Sequence, residues 1–132
     1  MKPSSVTCPC DSGAPYAACC QRWHSGQPAP DAKALMRSRY AAYVLGLTDY
    51  LLQTWQASTR PASLQDDEAN APPLKWLGLK VLHDEQIDNS NANVEFIARY
   101  KVNGKAEKLH ERSRFVREQG QWWYVDGDFI ES

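Results

Sequence analysis

A chain of 132 residues, 42% of them hydrophobic, has room for one ordinary domain and not for two. Its 15 basic and 16 acidic residues are interspersed and leave a formal charge of −1, so nothing in the balance predicts general affinity for nucleic acid or a membrane surface. The opening MKPSSVTCPC lacks the apolar stretch of a signal peptide, and no apolar run reaches the ~20 residues of a membrane span. The expected compartment is therefore the cytoplasm, where thiols stay reduced.

Three zones follow in chain order: a cysteine-rich segment over 7–24, a connector SGQPAPD over 25–31, and a single α+β domain over 32–132. The first zone, TCPCDSGAPYAACCQRWH, holds all four cysteines in the spacing C-x-C-x8-C-C. Four thiolates suit tetrahedral zinc, although the spacing is not the common C-x2-C pair. A strained vicinal Cys19–Cys20 disulfide and inert buried thiols are the alternatives. The Asp11-Ser12-Gly13 stretch predicts a tight turn whose amides point at the sulfurs of Cys8 and Cys10. A four-thiolate zinc carries a charge of about −2, which Lys2, Arg22 and His24 can soften. His24 is also a substitute ligand on paper, though a histidine in an exposed loop has no need of one. With every position filled by sulfur, no site is left for water or substrate, so such a metal is structural.

Asp31 predicts the N-cap of a helix over AKALMRSRYAAYVLG, and Gly46 its stop. Met36, Tyr40, Tyr43, Val44 and Leu47 share one face of it. Thr48 is the expected cap of a second short helix, DYLLQTWQ, with Leu51, Leu52 and Trp55 turned inward. STRPASLQDDEANAPP (58–73) is loop by composition. The period then changes from near 3.6 to 2. WLGLKVLHDEQ, ANVEFIARYKV, AEKLHERSRFVRE and QWWYVDGDF predict four strands, with hairpin turns at Asn103-Gly104 and Glu118-Gln119-Gly120. Helices followed by a meander predict a curved antiparallel sheet with helices across one face.

In KLHERSRFV the face carrying Leu109 and Phe115 should point inward, and it takes Glu111 and Ser113 with it. A buried carboxylate needs a partner, and Arg37 and Arg39 flank the apolar stripe of the first helix on opposite edges. The candidate pocket is thus Arg37, Arg39, Tyr40, Trp55, Glu111 and Ser113. The pair of charges can fix helix against sheet or orient a small polar ligand. His83 and His110 lie in strands on undetermined faces, with no base–partner spacing that predicts catalysis. Of Trp122 and Trp123, one should fill the core. Arg112, Arg114 and Arg117 with an exposed Trp would be needed for RNA contact, which the near-neutral charge disfavours.

CPCDSGAPYAACC resembles the SEC-C motif, roughly C-x-C-x-S-G-x-x-Y-x-x-C-[CH]. Cys8, Cys10, Ser12, Gly13, Tyr16, Cys19 and Cys20 match it, and Asp11 stands where glycine is typical. The resemblance implies that Cys8, Cys10, Cys19 and Cys20 ligate a structural zinc. LMRSRYAAYVLG, DYLLQTWQASTRP and HERSRFVREQGQWWYVDG resemble the bacterial YchJ-like family, whose second part is similar to nuclear transport factor 2. That implies a zinc knuckle followed by a cone of helices against a curved, mainly antiparallel four-stranded sheet. Some members carry a second SEC-C copy at the C-terminus; none is expected here before Ser132. In the preprotein translocase the similar tail contacts a chaperone and ribosomes, so the resemblance implies a protein partner. The sequence thus predicts a cytoplasmic protein-interaction module with a structural zinc, and as the alternative a small-ligand or enzymatic cone around Glu111 and Arg37 or Arg39.

Overall fold

The computed structural model describes residues 7–10, 13–60 and 74–130, with residue 74 as backbone alone. The predicted turn at Asp11 and Ser12, the charge of Lys2 and most of the 58–73 loop lie outside these residues. The described residues begin with a bridge between Thr7 and Pro15, a 3-10 turn at Tyr16–Ala18 and a single helical turn, α1 (Gln21–His24). Helices α2 (Ala32–Leu45) and α3 (Thr48–Gln53) follow, then strands β1 (Leu74–Asp88), β2 (Asn91–Val102), β3 (Lys105–Glu118) and β4 (Gln121–Phe129).

Helix α2 begins and ends as its sequence dictates. Asp31 Oδ1 accepts from Ala34 N at 2.7 Å, and Gly46 takes the left-handed φ of 76° that stops the helix. The predicted apolar face is only part of what α2 buries. Leu35, Met36, Ser38, Tyr40 and Ala41 are all buried, because the cysteine segment covers one side of the helix and the sheet the other. Tyr43, expected inward, is 44% exposed, and Val44 and Leu47 are half-buried.

Helix α3 departs from expectation at both ends. Leu47, not Thr48, is its N-cap, and no side chain caps it; Thr48 Oγ1 turns back to the Gly46 carbonyl instead. The helix stops at Gln53 because the next residues pair with the sheet: Tyr124 N donates to Thr54 O at 2.9 Å and Gln56 N to Tyr124 O at 2.7 Å. Trp55 is therefore a parallel bridge partner of Tyr124 rather than a helical core residue.

The sheet is an antiparallel meander in the order β1-β2-β3-β4. Both predicted hairpins turn on paired positive φ values, 54° and 79° at Asn103-Gly104 and 55° and 77° at Gln119-Gly120, the geometry whose twist matches the strands. A third hairpin, not anticipated, turns at Asn89-Ser90, where Asp88 Oδ1 accepts from Ser90 N and Asn91 Nδ2. Register shifts that leave out Leu77, Leu82 and Ile87 in β1 and Val125 in β4 bend the sheet around the helices. Alternation places Ala92, Val94, Phe96 and Ala98 of β2, and Ser113 and Phe115 of β3, on the buried face. Trp122 is 3% exposed and joins them, whereas Trp123 is half-buried on the other face. Cys8, Cys10 and Cys20 belong to the same contiguous core as Leu35 and Phe115. Among the described residues no helix is long and apolar enough to cross a membrane.

Candidate functional site

Two sites stand on opposite sides of α2. On the first side, the ligating atoms of Cys8, Cys10, Cys19 and Cys20 lie within 4.8 Å of one another. The Sγ atoms of Cys10 and Cys19 are 3.6 Å apart, and those of Cys19 and Cys20 4.0 Å. Four sulfurs around a zinc-sized ion have an edge of about 3.8 Å, given metal–sulfur bonds of about 2.3 Å, whereas a disulfide needs about 2.05 Å. None of the four is joined in a disulfide, and three of them are buried.

Without a cation, the surroundings of Cys8 and Cys20 favour the thiol form. Burial pushes the Cys8 thiol up to about 11, against a partial lowering by the backbone amides of Cys10 and Cys20. The hydrogen bond with Cys10, and then burial, raise Cys20. A dication reverses that preference, since a coordinating thiol is deprotonated. The donor set, its spacing and its burial therefore suit a metal ion.

The surroundings of the cluster correct two expectations. Arg37 is not in the cone: its Nη1 donates to Cys10 O at 2.8 Å and lies 3.8 Å from Cys10 Sγ. It adds positive charge beside the sulfurs, alongside Arg22, whose Nε donates to Cys19 O at 3.0 Å. Spacing had already put Arg37 and Arg39 on opposite edges of α2; what it could not say was that the cysteine segment folds back over the Arg37 edge. His24, in turn, is neither in a loop nor exposed. Its Nε2–H donates to Ser38 O at 2.8 Å, and its Nδ1 accepts from Tyr16 O–H at 2.6 Å, so both ring nitrogens are occupied away from the sulfurs. Burial holds this imidazole below its ordinary value of 6.5. Ser38 Oγ meanwhile donates to Leu35 O and accepts from Tyr50 O–H, each at 2.7 Å.

On the second side, between α2 and the sheet, lies a cavity of about 330 Å³. Met36, Tyr40, Trp76, Phe96, Leu109 and Phe115 form its apolar walls, and Tyr43 and the 72% exposed Phe129 stand at its rim. Arg39, Glu111, Ser113 and Tyr124 give it one polar end. Arg39 is 5% exposed; its Nη1 donates to Leu51 O and Thr54 Oγ1, each at 2.7 Å, and its guanidinium lies 4.4 Å from the centre of the Tyr124 ring and 5.1 Å from that of Trp55. Trp55 stands behind Arg39 and does not line the cavity. Glu111 makes no ion pair with either arginine among the described residues. Its Oε2 accepts from Ser113 Oγ at 2.9 Å and Tyr124 O–H at 3.3 Å. Burial, and after it the nearby carboxylate, raise the Tyr124 phenol, which stays a donor. Gly127 completes the arrangement, for a Cβ there would overlap the Glu111 carboxylate.

The remaining candidates sit elsewhere. His83 is exposed beside Glu85 at 3.9 Å. His110 lies on the outer sheet face and donates from Nε2 to Glu95 Oε2 at 2.7 Å, with Arg112 3.9 Å from the same carboxylate. Arg114, considered for RNA contact, is taken up by Asp126 at 2.6 Å and Asp128 at 2.7 Å.

A helix-on-sheet cone carrying a four-cysteine knuckle at its N-terminus defines an NTF2-like domain joined to a SEC-C motif. The family model described as "YchJ, middle NTF2-like domain" matches residues 31–127, and that of the SEC-C motif residues 6–22. The chain belongs to this YchJ-like family, whose members carry the name UPF0225 protein. A UPF0225 protein of Bordetella parapertussis is 53% identical over 95% of this chain and 94% of its own, and one of Chromobacterium violaceum 54% identical over 96% and 95%. Among solved structures, a SEC-C motif containing protein from Rhodopseudomonas palustris superposes with a TM-score of 0.82 at 35% identity, covering 94% of this chain and 98% of that one. Another from Psychrobacter arcticus gives 0.76 at 28% identity, over 98% and 85%.

Proposed function

We propose that this is a zinc-stapled binding protein of the cytoplasm whose cone receives a small molecule. The observation that carries the proposal is the cavity of about 330 Å³ with apolar walls and a single polar end at Arg39, Glu111, Ser113 and Tyr124. Cavities of about 300–1,000 Å³ lined this way are the usual form of small-molecule sites. Zinc is the ion assigned to the knuckle, because four sulfurs at tetrahedral edge length leave no open position and suit a structural role. Cys8, Cys10, Cys19 and Cys20 would hold it. Its contribution is order: a segment too small for its own core gains roughly 10–16 kcal/mol of apparent metal binding.

Binding rather than catalysis is the function assigned to the cone. Its lining holds no histidine, cysteine or lysine among the described residues, and Glu111 accepts hydrogen bonds from neutral hydroxyls. Native mass spectrometry of protein purified anaerobically tests both halves. The expected result is one zinc per chain plus a non-covalent small-molecule adduct that is lost in a Trp76→Ala variant. Zinc with no adduct under any growth condition would remove the support for the ligand half.

A protein partner for the knuckle is the second reading. It is favoured by the exposed Arg22, whose guanidinium lies over the half-buried Trp23 ring at 4.4 Å from its centre. Such aromatic–arginine pairs are common anchors of interfaces. Loss of a co-purifying protein in Trp23→Ala would support it.

A further inference from the structure

The polar end of the cavity narrows the class of ligand, and this inference rests on the ligand-binding reading above. Both hydrogen bonds that Glu111 receives go to Oε2, leaving Oε1 without a donor among the described residues. Glu111 itself lines the cavity. A carboxylate oxygen beside apolar walls gains most from a ligand O–H or N–H, because such charge-assisted hydrogen bonds are stronger than neutral ones. Arg39 is anchored at the same end of the cavity, with Nη1 committed to Leu51 O and Thr54 Oγ1 and the Tyr124 and Trp55 rings against its guanidinium, so its positive charge stands with the Glu111 carboxylate in one site. An anionic head group would meet the Glu111 carboxylate, and a cationic one the charge of Arg39. Together the two groups make the site dipolar, not charged.

The backbone is shaped to keep the carboxylate there. Gly127 lies in β4 opposite Ser113, and the Glu111 carboxylate occupies the space that a Cβ at 127 would take. Glycine in a strand interior weakens the strand and often marks a close approach of this kind. The walls set the shape of the rest. Tyr40 meets Trp76 edge-on at 5.5 Å, and Phe115 meets Tyr124 edge-on at 5.7 Å, so ring faces and edges line the space between helix and sheet.

We infer that the cone is built for a neutral, flat, largely apolar molecule that bears a hydrogen-bond donor, with that donor bound to Glu111 Oε1. Phenols and aromatic amides of two-ring size are the chemical class that fits.

Three probes of one skeleton test this on the full, metal-loaded chain at pH 7: 2-naphthol, naphthalene and 2-naphthoate, followed by amide chemical-shift titration. Naphthol should bind about tenfold more tightly than naphthalene, the worth of one hydrogen bond to a charged group. Naphthoate should bind most weakly, with shifts centred on Phe96, Glu111 and Tyr124. In Glu111→Ala, naphthol and naphthalene should become equal and naphthoate should gain. Gly127→Ala, which keeps the carboxylate but displaces it, should also erase the naphthol preference. Naphthoate binding tightest to the unsubstituted protein would overturn the ligand class while leaving the cavity a binding site. No binding by any probe would overturn both. Affinity that falls as protein concentration rises would show a second copy competing at the rim around Phe129, and would overturn the inference in favour of self-association.

Discussion

Arg37 and Arg39, two residues apart on one helix, serve opposite sides of the molecule. Arg37 Nη1 donates to Cys10 O at 2.8 Å, beside the sulfur cluster, and Arg39 Nη1 donates to Leu51 O and Thr54 Oγ1 at 2.7 Å, beside the cavity. Ser38 between them holds His24 through its carbonyl and Tyr50 through its hydroxyl. Three consecutive side chains thus tie the knuckle, α3 and the cone to α2.

Removing Arg37 should weaken the metal site without touching the cone. Loss of a supporting group around metal ligands typically costs about 10–100-fold in affinity. Competition with a chromophoric chelator should show that loss in Arg37→Ala and a smaller one in Arg37→Lys, which keeps the charge. Unchanged affinity in Arg37→Ala would mean that the guanidinium only braces the Cys10 carbonyl.

Removing Arg39 should instead cost stability. Its loss leaves the Leu51 carbonyl and Thr54 hydroxyl short of a buried donor and strips two aromatic faces of their cation. A cost of about 3 kcal/mol is expected in urea unfolding of Arg39→Ala. Chelator competition on the same variant should match the parent protein.

Withdrawing the metal, or replacing Cys20 by Ser, should release residues 7–24 first. Hydrogen exchange is expected to show lost protection there and at the Ser38 side of α2, with β2 and β3 amides still slow. Cys8, Cys10 and Cys20 share a core with Leu35, so the midpoint of unfolding should fall as well. If β2 and β3 lose protection together with the knuckle, knuckle and cone unfold as one unit.

Acid should loosen the same junction through His24. Burial puts its folded value below the ordinary 6.5, so the unfolded chain binds the extra proton first as pH falls. The stability it contributes is complete above about pH 6.5 and is lost as pH drops through the lower folded value. Urea midpoints of the metal-loaded protein between pH 7.5 and 5.5 should therefore fall less steeply in His24→Gln than in the parent. Equal slopes would assign the acid sensitivity to the thiolates.

Gly127→Ala should destabilise by about 1–3 kcal/mol, the range for overpacking, because the new methyl meets the Glu111 carboxylate. In a Glu111→Ala background the same change should be nearly neutral. A double-mutant cycle measures that difference directly, and a coupling near zero would show that the carboxylate moves aside freely.

Much of this was legible in the residues. The four cysteines and the likeness to the SEC-C motif marked the segment that can hold a metal ion, Asp31 and Gly46 bounded α2, and the two-residue period separated Leu109, Glu111, Ser113 and Phe115 from their neighbours. What local pattern could not carry was contact between distant segments. Arg37 reads as a flank of an apolar stripe until residues 7–24 are laid over it. Trp55 reads as helical because nothing nearby in sequence reveals its pairing with Tyr124. Gly127 reads only as one position of the predicted strand QWWYVDGDF, and its meaning appears only opposite Ser113 with the Glu111 carboxylate against it.

The placement of the cysteines has a consequence for synthesis. All four lie before residue 21, while the helix face they cover spans Leu35 to Ser38 and the sheet beneath it closes only after β4. Chains emerge N-terminus first, so the sulfurs are available to metal before any surface exists for the knuckle to rest on. Closing so short a loop costs little entropy. A knuckle that took up an ion at that stage would be a prefabricated lid, made on the ribosome before α2 arrives beneath it.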